Sequence, residues 1–248
     1  MAGDVGNIPR AQRHLNFQVI VAIEAGEPFG AEAFLRWNDD QGDMVPTLAW
    51  LPDAAASGAL TRYAIEAEPA WRSAAERFDG LVFSFNTTGH DLLDEDWMAT
   101  TITTARNSSA KLALEVAHIQ FDAQFTDEAG LAWDVPTIGD LDERLTTLRQ
   151  AGLEIWLDDY GDTFRDEAIF DHAEIDVVKL DQTFLSLSTD ALADVADRAR
   201  ASEKRLIIEG IETEAQRRHA FDAGIELGQG FLFGWPMPIG EFSDSIDR

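Results

Sequence analysis

Phe17–Ile23 (FQVIVAI) and Ala31–Trp37 (AEAFLRW) are two apolar runs of strand length, with Glu24 to Pro28 turning the chain between them. A connection that short holds no crossover helix, so the two strands are expected to be antiparallel neighbours. Beyond them the pattern changes. Pro46 opens a helical stretch to about Ser57, and a second runs from about Leu60 to Phe78, with Pro69 as a possible point of disturbance. Six short apolar runs then alternate with amphipathic segments: Leu81–Asn86, Lys111–Val116, Leu153–Asp158, Asp176–Leu180, Arg205–Glu209 and Leu227–Phe231. Helix-length stretches at Leu141–Ala151, Leu192–Ala201 and Glu214–Ala223 lie between them. With the opening hairpin this makes eight strands, and strand–helix alternation on this scale predicts an α/β fold, a (β/α)8 TIM-type barrel with an antiparallel first strand. A doubly wound open sheet is the alternative, but no G-x-G-x-x-G follows an early strand.

Composition narrows the chemistry. The 248 residues carry 46 Asp and Glu against 19 Lys and Arg, a formal charge of −27, while 45% are apolar, as in a folded domain. So negative a surface repels duplex nucleic acid and anionic lipid. No apolar run approaches the roughly 20 residues of a membrane helix, and the start lacks a signal-like stretch, so no membrane insertion and a cytoplasmic location are expected. Cysteine is absent, which excludes disulfides, zinc-thiolate sites and thiol nucleophiles, and no two of the five histidines form an H-x-x-x-H pair. Carboxylates, amides, Lys and His remain.

Those residues gather where the apolar runs stop, and the C-terminal ends of barrel strands form the active-site rim. The second run carries Glu32, the third ends at Asn86, and the fourth holds Glu115. The fifth ends in Asp158-Asp159, the sixth in Lys179-Leu180-Asp181, the seventh in Glu209, and the eighth carries Gln229. Taken singly, each has an ordinary use: Asp caps helices and Lys extends its amine to solvent. Taken together, five or six carboxylates in one cavity repel one another unless cations stand among them. Oxygen ligands with one amide and no thiol suit Mg2+ or Mn2+, and a shared Asp is able to bridge two ions about 3.5–4 Å apart for in-line phosphoryl displacement by water. A Schiff-base role for Lys179 is opposed by the same acids, which raise its pKa.

In this order the residues resemble the EAL domains, bacterial phosphodiesterases that cleave cyclic di-GMP. Glu32-Ala33-Phe34 stands within EAFLRW where the family usually has EALLRW. There follow FN at Phe85-Asn86, the first acid of E-x-x-E at Glu115, DDYG at Asp158–Gly161, VKLD at Val178–Asp181, EGIE at Glu209–Glu212, and QGFLFGWPMP at Gln229–Pro238. The resemblance runs from about Leu15 to Pro238, which sets residues 1–14 apart as an N-terminal tail and 15–248 as the phosphodiesterase domain. It implies a two-metal site, Mg2+ or Mn2+, that opens cyclic di-GMP to linear pGpG. By position, Glu32, Asn86, Glu115 and Asp158 would hold one ion, Asp159 both, and Glu209 the second. Lys179 would orient the attacking water or steady the phosphate, acting with Asp159 and Glu209 in catalysis. Gln18, Arg36, Asp181, Glu212 and Gln229 would contact substrate or organise the site, and the family commonly forms homodimers.

The departures cluster. E-x-x-E here reads Glu115-Val-Ala-His118, and the loop usually written DFGTGYSS is Asp159-Tyr-Gly-Asp-Thr-Phe-Arg-Asp166. Both fall on the unit that positions the metal-bridging aspartate in the family. Val19 replaces the usual Pro, and the connection from Ala117 to about Ile138 is long enough to serve as a lid or partner surface. The altered loop leaves two alternatives to turnover open: a cyclic di-GMP receptor with weak or no activity, or a protein-interaction module.

Overall fold

The computed structural model describes residues 8–9, 12–50, 54, 58–117, 136–161 and 167–246. Strands β1 (Arg13–Ala22) and β2 (Pro28–Trp37) pair antiparallel, with Gln18 opposite Glu32 and His14 opposite Arg36. The turn between them is closed at Gly26, whose φ of 71° suits a residue without a Cβ. The chain then lays down β3 (Val82–Thr88), β4 (Lys111–Ala117), β5 (Leu153–Tyr160), β6 (Val177–Leu180), β7 (Arg205–Ile208) and β8 (Leu227–Gln229). Each is parallel to the one before, beginning with β3 on β2. The circle closes because β1 bonds antiparallel to both β2 and β8. The result is the expected eight-stranded barrel with its first strand reversed. A two-residue strand, β9 (Met237–Pro238), adds to β1 opposite Phe17 and Asn16 and has no counterpart in the sequence reading.

Two apolar layers hold this wall. Inside, Ile20, Val82, Ala113, Trp156, Val177, Ile207 and Leu227 form one cluster, one residue from each of seven strands, which fills the barrel below its mouth. Outside, the opposite face of the strands packs against the helices, among them α1 (Ala59–Ala75), α2 (Gly89–Leu93), α3 (Glu95–Asn107), α4 (Ile138–Gln150), α5 (Thr189–Ala201), α6 (Glu214–Asp222) and α7 (Ile239–Ile246). Local sequence fixes where several of these begin. Thr88, Thr137 and Thr213 each accept from the third helical N–H, while Asp91, Asp140 and Gln216 reach back to the capping residue.

The structure differs from the sequence reading at three places. Helix α1 runs unbroken through Pro69, because Tyr63 and Trp71 are buried on either side of it and Trp71 stacks on Phe85 at 4.1 Å. The stretch opened by Pro46 starts as a three-residue 3-10 turn, Thr47–Ala49, and most of the remainder lies outside the described residues. Strand β1 begins at Arg13, four residues before the run read from Phe17, and near its start Ile8 is buried, its N–H donating to the Tyr63 hydroxyl at 2.8 Å. His118, most of the 117–138 connection and residues 162–166 of the altered loop also lie outside the described residues. Among the described residues, no helix is long and apolar enough to cross a membrane.

Candidate active site

Because side chains alternate along a strand, the residue two positions beyond each floor residue points into the same barrel interior, one layer higher. Val82 is followed by Ser84, Ala113 by Glu115, Trp156 by Asp158, Val177 by Lys179, Ile207 by Glu209 and Leu227 by Gln229. On the reversed β1 the same step runs backwards, from Ile20 to Gln18. Every residue of this second layer is polar. The floor excludes water from below, so charges on the layer above sit in a medium that magnifies their interaction.

At its centre is Lys179, 1% exposed. Its Nζ lies 3.2 Å from Glu32, 2.5 Å from Glu115, 2.9 Å from Asp158 and 2.7 Å from Glu209. Amides and a hydroxyl orient the acids around it. Asn86 Nδ2 donates to Glu32 Oε1 at 2.7 Å, so its carbonyl oxygen is the atom left to hold a cation. Gln229 Nε2 donates to Glu32 Oε2 at 2.9 Å and to Gln18 Oε1 at 3.0 Å, and Gln18 in turn donates to the Gly234 carbonyl at 2.8 Å. Ser84 Oγ donates to the other oxygen of Glu115.

One cation among four acids is not enough. Burial, reinforced by the charges of Glu32 and Asp158, raises the Glu115 pKa well above the carboxylate range despite Lys179. Burial likewise pushes Glu209 up to about 8. Burial alone would lower Lys179, but Asp158, Glu115, Glu209 and Glu32 outweigh it and hold the amine well above its usual value. It therefore stays protonated, which opposes a nucleophilic amine. Three ammonium hydrogens cannot serve four carboxylates, and Asp158 Oδ1 is left buried with an ionic contact but no hydrogen bond.

Asp159 is brought in by a backbone irregularity. In a regular strand it would point away from Asp158, but the β5–β6 register shifts between Leu157 and Tyr160, and Asp159 adopts φ 55°. Oxygens of Asp158, Asp159 and Glu209 then lie within 4.8 Å of one another. An all-oxygen donor set, an excess of negative charge and an orphaned buried carboxylate oxygen fit hard divalent cations.

The family model described as "EAL domain" matches residues 7–236. The chain is an EAL domain. It is 24% identical over 240 residues to the probable cyclic di-GMP phosphodiesterase PdeB of Escherichia coli K12, spanning 92% of this chain and 43% of that protein. It is 25% identical over 249 residues to the bifunctional diguanylate cyclase/cyclic di-GMP phosphodiesterase MucR of Pseudomonas aeruginosa, spanning 96% and 35%. The chain thus spans less than half the length of these curated relatives. Among solved structures, it superposes on the PaMucR phosphodiesterase in its c-di-GMP complex with a TM-score of 0.77 at 22% identity, covering 94% of this chain and 95% of that one. On the FimX EAL domain from Pseudomonas aeruginosa bound to c-di-GMP the TM-score is 0.73 at 15% identity, covering 92% and 91%.

Within this EAL domain, Gln18, Glu32, Asn86, Glu115, Asp158, Asp159, Lys179, Glu209 and Gln229 form one connected group. Three other residues of the sequence reading make their contacts elsewhere, although Arg36 feels the charge of Glu32. Arg36 lies two pleats beyond Glu32, its guanidinium 4.6 Å above the Phe34 ring and donating to the Leu35 carbonyl at 3.0 Å. Asp181 accepts from Thr183 N–H at 2.8 Å and caps the 3-10 turn Gln182–Ser186. Glu212 is exposed beside the start of α6. Ser84 was not among the expected site residues. Its signal was its place two residues before Asn86, on the same face of β3.

Proposed function

We propose that this EAL domain cleaves cyclic di-GMP to linear pGpG with two divalent cations, Mg2+ or Mn2+. The observation that carries the reading is the ring of Glu32, Glu115, Asp158 and Glu209 about Lys179, in which Asp158 Oδ1 remains unsatisfied. Glu32, Asn86, Glu115 and Asp158 would hold the first ion and Glu209 the second, with Asp159 a ligand shared by both. When bound, such ions lower the pKa of a water and offset charge that gathers on phosphoryl oxygens. Gln18 and Gln229 keep Glu32 aimed. Lys179 supplies a fixed positive charge at the dry base of the site, where it steadies the phosphate or orients the water. Arg36, Asp181 and Glu212 contact the nucleotide.

Purified protein incubated with cyclic di-GMP and either ion is expected to release pGpG. Glu32→Ala removes an acid that Asn86, Gln229 and Lys179 all hold in place, and is expected to lower turnover about a hundred- to a thousandfold, in line with losses seen when transition-state stabilising groups are removed. Wild-type turnover with neither ion would defeat the reading.

The substituted segment Asp159–Asp166 and His118 favour one second reading, a receptor that binds cyclic di-GMP without cleaving it. Calorimetric binding with the nucleotide recovered intact would establish it. A protein-interaction module that has abandoned the nucleotide is opposed by the retained ligand set. The first reading also takes the domain as a cytoplasmic homodimer, and light scattering tests the dimer.

A further inference from the structure

Phe231 and Trp235 stand on the turn that follows β8, stacked face to face with ring centroids 3.7 Å apart and planes 11° from parallel. Both are exposed, Phe231 by 43% and Trp235 by 63%. Two large aromatics left in water beside a polar site need a reason, since scattered exposed apolar residues are ordinary but a stacked, ordered pair is a prepared surface.

Their segment is fixed to the site from both sides. Gln18, which holds Gln229, donates to the carbonyl of Gly234, the residue before Trp235. On the other side, Leu232 N–H donates to the Ile211 carbonyl at 3.0 Å, and Ile211 N–H to the Gln229 carbonyl at 3.1 Å, two residues from Glu209. The segment that carries both rings is therefore anchored to Gln18 and Gln229 of the site and, through Ile211, to the chain that follows Glu209.

Charge says what such a surface is for. The chain carries −27, and the ammonium of Lys179 is already shared among four carboxylates. An anionic nucleotide gains little from long-range attraction to such a body. A neutral stacking surface supplies affinity that does not depend on charge, because every base has a π-face.

We propose that Trp235, backed by Phe231, is the platform on which one purine base of the substrate stacks, and so is a substrate-binding residue that sets this domain's affinity. The inference rests on the reading of cyclic di-GMP as the ligand. Phe231 covers one face of the indole and the base takes the other.

The test compares wild type, Trp235→Phe and Trp235→Ala, with KM and kcat for cyclic di-GMP in Mn2+, calorimetric Kd for the same nucleotide, and light scattering on each protein. Loss of one base stack corresponds to about 5- to 150-fold. Trp235→Ala should raise KM and Kd by that factor with the loss falling on KM rather than kcat, and Trp235→Phe should recover most of it. Indole fluorescence quenched by nucleotide in wild type but not in Trp235→Phe would support the same stack. If wild type handles cyclic di-GMP and Trp235→Ala does so with unchanged KM and Kd, the platform is disproved while the phosphodiesterase or receptor reading stands. A change of oligomeric state with unchanged KM and Kd would assign the aromatics to a contact between copies and overturn the proposal. Wild type that neither binds nor cleaves the nucleotide overturns the functional reading, and the platform with it.

Discussion

Lys179→Met is expected to unfold at much lower urea than wild type when both are kept in EDTA at neutral pH, and to regain most of the difference in Mg2+ or Mn2+. Removing one partner of a buried ion pair costs about 3–5 kcal/mol, because the other charge is left uncompensated. Here one ammonium faces four acids at 2.5–3.2 Å, and Glu115 is fully buried. Methionine fills similar space and isolates the charge effect from a cavity effect. An ion present at a hundred times its Kd adds about 2.7 kcal/mol to the folded state. A variant that folds only with metal would be the same result carried further. Equal midpoints for variant and wild type in EDTA would show that the four acids do not depend on Lys179.

Gly230→Ala is expected to cost about 2–6 kcal/mol, the sum of a strained backbone and an overpacked contact. Gly230 sits at φ 155°, and a Cβ there would lie 2.2 Å from the Ile211 carbonyl oxygen and 2.4 Å from its nitrogen. Those backbone atoms cannot simply retreat, since Ile211 is bonded to Gln229 on one side and Leu232 on the other. The displacement would reach Glu209 through Gly210 and Gln229 directly, so metal affinity should fall along with stability. Gly240→Ala is the control: a Cβ there meets nothing within 4 Å, and thermal melting should change little. A Gly230→Ala protein that melts with wild type would show that the two turns do not press on each other.

Much of this fold is legible before any coordinates. The five residues from Glu24 to Pro28 force a hairpin, and the later runs are each the length of one strand. The polar layer is legible too, because it follows from alternation: Ile207 must face the interior if Glu209 does, and Leu227 if Gln229 does. What the sequence hides depends on tertiary geometry. Asp159 joins Asp158 only through the bulge at the end of β5, and period two alone would send it outward. Ser84 is an unremarkable residue until Glu115 stands beside it on the neighbouring strand. Lys179 reads from sequence as one polar strand end among several, and its place as the hub of four acids is visible only when five strands meet. Pro69 fails to break α1 because buried aromatics on both sides outweigh one lost hydrogen bond.

Crystals soaked in Mn2+ and measured at the manganese absorption edge give the most direct test of the account. It predicts two anomalous peaks, about 3.5–4 Å apart, with Asp159 touching both, Glu32, Asn86, Glu115 and Asp158 about one, and Glu209 about the other. Absence of any peak among these six residues, with Lys179 still seated between intact carboxylates, would contradict it.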